Sequence, residues 1–75
     1  MLPLSFSSIG EPVRIQAIKG KPDVMTFLES LGFVSGCAVT LLSKQGGNVI
    51  VKVKDVRVAI SAEMAGNIMV APHAA

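Results

Sequence analysis

The sequence predicts a mainly β protein: a small antiparallel β-barrel with one short α-helix after the first strand and a one-turn helix before the last. Three observations predict it. Short runs rich in Val and Ile alternate apolar and polar residues, at Val13–Ala17, Val49–Lys54 and Val56–Ile60. Gly, Pro, Asn and Asp punctuate the runs. The chain has 75 residues, 51% of them apolar, which allows one domain with a marginal core and no second domain. Short antiparallel strands in so little chain cannot form a large open sheet, and closure removes their exposed edges.

Glu11 to Lys19 reads as the first strand, with Val13, Ile15 and Ala17 on one side and Arg14 and Gln16 on the other. Gly20-Lys21-Pro22-Asp23 breaks it, and Pro22 suits a helix start. Val24, Phe27, Leu28 and Leu31 then fall at i, i+3, i+4 and i+7, one face of a short helix. Gly32 stands where a glycine ends a helix in the left-handed conformation. Val34-Ser35-Gly36-Cys37 is a turn. A three-strand meander follows, Ala38–Lys44, Val49–Lys54 and Val56–Ile60, with a hairpin turn at Gly46-Gly47 and a tight turn at Asp55. Ser61 caps a helical turn over Ala62–Ala65, Gly66-Asn67 stops it, and Ile68-Met69-Val70 is the last strand. Residues 1–75 form a single domain, with 71–75 a frayed tail.

Composition narrows the function. A lone cysteine, Cys37, can form no internal disulfide, which favours a reducing cytoplasm. The start, Met1-Leu2-Pro3-Leu4-Ser5, lacks the basic and long apolar regions of a signal peptide. No apolar run approaches the roughly 20 residues that span a bilayer. Net charge is +2, and the seven Lys and Arg are scattered; Lys52, Lys54 and Arg57 come closest to a cluster, which reads as a solvated strand face. With three Phe and no Trp or Tyr, base-stacking platforms are missing, so nucleic acid is not the expected partner.

No catalytic, cofactor or metal site is expected. Seven serines and one histidine, His73, offer no nucleophile with base and orienter. Glu11, Asp23, Glu29, Asp55 and Glu63 stand singly near turns and helix ends. Cys37, Glu63 and His73 do not group as ligands. The Gly46-Gly47 pair is too short to cradle a phosphate. Met25, Met64 and Met69 read as flexible core fillers or as an adaptable patch for a protein partner.

Several segments, taken in order, resemble the ferrous iron transport protein A (FeoA) family. These are Gly10 with Val13–Ile18, the run Leu28-Glu29-Ser30-Leu31-Gly32 with its following Gly36, Gly47–Val53 leading into Val58-Ala59-Ile60, and Ala65–Val70. The likeness spans about residues 4 to 70. The chain departs from the family pattern at Ser35, where proline is frequent, at Met25-Thr26-Phe27, where basic residues are frequent, and at Asp55, commonly glycine. The Gly46-Gly47 loop is shorter than in many members.

The resemblance implies an SH3-like barrel in the bacterial cytoplasm that assists FeoB, a membrane ferrous iron transporter, by protein–protein contact. The alternative is an SH3-like regulatory module related to the C-terminal domain of iron-dependent repressors. Proline-rich peptides are not expected ligands, since they need an aromatic-lined groove. The expected contact region is the helix and its following turn, Met25, Glu29, Phe33 and Val34, with weak self-association through exposed Met and Phe. Gly32, Gly36, Gly46 and Gly47 are expected to serve as structural turns.

Overall fold

The structure, a computed structural model, describes residues 1–72. Six antiparallel strands form one sheet: β1 (Leu2–Pro3), β2 (Pro12–Ile18), β3 (Ala38–Gln45), β4 (Asn48–Val53), β5 (Val56–Ser61) and β6 (Ile68–Pro72). Their spatial order is β1-β6-β2-β3-β4-β5. A 3₁₀ turn, Leu4–Phe6, follows β1; α1 (Pro22–Ser30) joins β2 to β3; α2 (Ala62–Ala65) joins β5 to β6.

The sheet is not closed into a barrel. β1 and β5 are its two edges and do not pair. β1 is two residues long and includes a proline, so it has little backbone to offer a second neighbour. The 3₁₀ turn and α2 pack together between the edges. Leu4 from the turn and Ala65 from α2 are fully buried there. The first helix also follows the second strand rather than the first, because Leu2–Pro3 already pairs with Val70 and Met69 of β6. That strand was not legible as one: two residues show no alternation.

β4 alternates without interruption, with Val49, Val51 and Val53 buried beneath an outer face of Ile50 and Lys52. β2 carries a bulge between Ile15 and Ala17, and β3 another between Leu41 and Ser43. A bulge inserts one residue and reverses the alternation. Val13 and Ile15 therefore face the core, but beyond the bulge Ile18, not Ala17, packs inward. β6 runs on through Ala71 and Pro72, opposite Arg14 and Val13, so these two do not belong to a frayed tail. The remaining residues of the expected tail, 73–75, His73 among them, lie outside the described residues.

α1 begins with Pro22 at N1 and Asp23 in the first turn. It ends in a Schellman motif: the Phe33 N–H donates to the Leu28 carbonyl at 3.1 Å and the Gly32 N–H to that of Glu29 at 3.0 Å. Gly32 has φ +104°, a conformation that a side chain resists. The motif turns Phe33 back onto Leu28, and both side chains are fully buried. Phe27, expected on the buried face, is exposed instead. Ser61 caps α2, its Oγ accepting from the Met64 N–H at 3.1 Å.

Candidate protein-docking site

The expected contact region divides. Phe33 is part of the core and cannot reach a partner, because the helix-ending motif aims it inward. Glu29 is exposed and Met25 half-buried, one turn apart on α1, while Val34 is half-buried in the following turn. That turn is fastened to β2. The Gly36 N–H donates to the Ile15 carbonyl at 2.8 Å, and the Ile15 N–H donates to the Cys37 carbonyl at 2.9 Å. Arg14 Nη1 donates to the Gly36 carbonyl at 2.7 Å, and Ser35 Oγ to that of Gln16 at 3.1 Å.

The apolar surface lies elsewhere. Four of the large apolar side chains left in water fall in the first nine residues: Met1 (72% exposed), Leu2 (41%), Phe6 (77%) and Ile9 (59%). The segment carrying them is pinned at three places. Leu2 and Pro3 pair with β6, Leu4 is buried, and the Gly10 N–H donates to the Leu41 carbonyl at 2.8 Å. Phe6 and Ile9 are thus presented to solvent by a backbone that is held down. Sequence reasoning missed this segment because its apolar residues follow neither a helical nor a strand period. The available signal was their density ahead of the first alternating run.

Beside Phe6 opens a cleft of about 140 Å³. Leu2, Phe6, Val13, Val70 and Pro72 give it apolar walls, and Glu11 contributes a carboxylate. Its volume is comparable to the ~150 Å³ cavity that admits benzene, room for one aliphatic or aromatic side chain. Ser7 also lines the cleft. Its Oγ is buried with no hydrogen-bond partner, the one such side-chain atom among the described residues. Among those residues no three His, Cys, Asp or Glu stand close enough to hold a metal ion, and Cys37 is a free, half-buried thiol.

A small antiparallel sheet sealed by short helices, with an apolar cleft and a pinned apolar segment beside it, defines a domain of SH3-like fold. A FeoA domain model matches residues 2–72, and the chain belongs to the FeoA family, which is linked to ferrous iron transport. A crystal structure of the iron uptake regulatory protein FeoA superposes with a TM-score of 0.84 at 30% identity, covering 92% of this chain and 93% of that one. FeoA of Stenotrophomonas maltophilia complexed with zinc, described as a procaryotic SH3 domain protein, superposes at 0.82 and 22% identity, covering 95% and 91%. A manganese-dependent transcriptional repressor shares the fold at 0.86 and 18% identity, over 95% of this chain and 41% of the repressor. No curated protein matches the chain in sequence.

Proposed function

We propose that this protein is a cytoplasmic accessory factor of bacterial ferrous iron uptake. It acts by binding the cytoplasmic part of a FeoB-type transporter and meets the membrane only through it. Its role is recognition rather than catalysis. The observation that carries the reading is the exposed apolar segment around Phe6 and its cleft, on a chain of this family. Fully burying a side chain of this size is worth roughly 1.5–3 kcal/mol, and each of these partly exposed ones forgoes a share of it. In a domain with so marginal a core, that surface is best explained by a partner that covers it.

Calorimetric titration against the transporter's isolated cytoplasmic domain tests the reading. Saturable binding is expected, weakened about tenfold or more by Phe6→Ser, since aromatic anchors dominate such interfaces. Glu29→Ala probes the helix surface, and a comparable loss there would move the contact to Met25, Glu29 and Val34. No heat of binding at high micromolar concentration would overturn the reading.

The repressor likeness favours a second reading, a free-standing regulatory module of metal-sensing transcription. The neighbouring reading frame discriminates: a large membrane GTPase supports the first, a DNA-binding repressor the second.

A further inference from the structure

We infer that the open edge of β5 is a second docking site, which takes an extended acidic segment of a partner protein as an added strand. The inference is independent of the cleft and of the transporter reading. β5 ends the sheet, so among the described residues no strand pairs with its outer side. β4 and β5 are joined by the two residues Lys54 and Asp55, and Val53 pairs with Val56. In such a hairpin the closing pair exchanges both hydrogen bonds, and bonded and non-bonded pairs then alternate. Arg57 and Ala59 therefore turn their N–H and C=O groups away from β4, toward the open edge. Both residues are exposed.

Charge identifies the occupant. Residues 38–61 hold Lys44, Lys52, Lys54 and Arg57 against Asp55, a net +3, which leaves −1 for the rest of a chain of net +2. All four cations are exposed. Lys52 and Arg57 stand directly opposite each other across the β4–β5 ladder. Like charges so placed repel. Asp55 relieves them little, since it lies 3.8 Å from Lys52 and is itself 95% exposed. A carboxylate on an added strand, opposite Arg57, would pair with Arg57 and ease its repulsion with Lys52. On the other face of β5, Val56 is exposed and Val58 half-buried, so they can take apolar side chains. The fitting ligand thus alternates acidic and apolar residues, the period of an extended strand. Nucleic acid would satisfy the charge but neither the backbone edge nor the valines.

A short blocked peptide of alternating glutamate and valine, titrated into ¹⁵N-labelled protein, tests this. Saturable amide shifts are expected at Arg57–Ser61 and at Lys52. Arg57→Glu should weaken binding about tenfold or more, since it removes one charge-assisted bond and sets like charges opposite each other. Ala59→Pro removes an N–H that faces solvent, which an edge strand tolerates, and should block the peptide while the fold persists. The same peptide with lysine for glutamate should not bind. The inference is overturned by shifts centred elsewhere, by equal affinity for the lysine peptide or for single-stranded DNA, by undiminished binding to folded Ala59→Pro, or by a dimer through β5 that excludes the peptide.

Discussion

At the scale of single residues, the same side chain type serves opposite ends according to its backbone. Phe33 and Phe6 are both aromatic and both near turns. Phe33 is driven into the core by the hydrogen bonds that end α1, whereas Phe6 leaves a 3₁₀ turn whose inward position is already taken by Leu4. Polar residues differ in the same way. Ser61 Oγ is satisfied by a helix N–H, but Ser7 Oγ is buried without a partner. An unpaired buried hydroxyl costs about 1–3 kcal/mol. Ser7→Ala should therefore stabilise the domain by about 1 kcal/mol, raising Tm by roughly 4–8 °C for a chain of this size. A thermal melt by circular dichroism checks it, and a lower Tm would show that the hydroxyl is bonded.

At the scale of elements, the turns hold more information than the strands. Gly32 permits the Schellman motif at φ +104°, and a Cβ placed there would meet the Val53 and Lys54 side chains only at ordinary contact distance. Backbone strain alone therefore makes Gly32→Val cost about 1–2 kcal/mol. Urea denaturation should show a lower midpoint with an unchanged slope. The β4–β5 turn offers the reverse case. Lys54 and Asp55 adopt φ 52° and 63° without being glycine. Asp55→Gly should relieve strain and raise stability by about 0.5–1 kcal/mol. The lost ion pair with Lys52 takes away little, because both side chains are largely in water. A melt of Asp55→Gly that matches or falls below the parent would sink this account. Such turns were readable because Gly, Pro and Asp have local requirements. The bulges at Gln16 and Leu42 were not, since nothing local distinguishes Gln16 or Leu42 from an ordinary strand residue. Only pairing with a neighbour reveals that Ile18 replaces Ala17 on the inner face.

At the scale of the molecule, the sequence carried the number and order of the longer strands, but not how the sheet ends. Closure was expected because free edges are a liability. The chain instead fills the gap with the turn bearing Leu4 and the helix bearing Ala65, and among the described residues β5 keeps an outer side that no strand pairs with. Seeing that requires knowing which distant segments meet, and β1 is too short to announce itself. The candidate site was hidden for the same reason. Leu2, Val13 and Pro72 come from opposite ends and the first long strand, and only the β1-β6-β2 arrangement makes them one cleft. This predicts a test at the C-terminal strand. Ending the chain after Val70 removes Ala71 and Pro72, the partners of Arg14 and Val13. Val13 is 6% exposed in the intact fold and would lose a neighbour on the sheet. The truncated chain should still fold, because Val70, Ile68 and the rest of the core remain. It should melt several degrees lower, in line with about 1 kcal/mol of lost pairing and burial. With one wall of the cleft gone, it should also bind the transporter domain more weakly than the intact protein does, whereas its response to an acidic peptide at β5 should be unchanged. If melting and both binding responses all match the intact chain, the strand beyond Val70 contributes nothing, and the cleft is not the docking site.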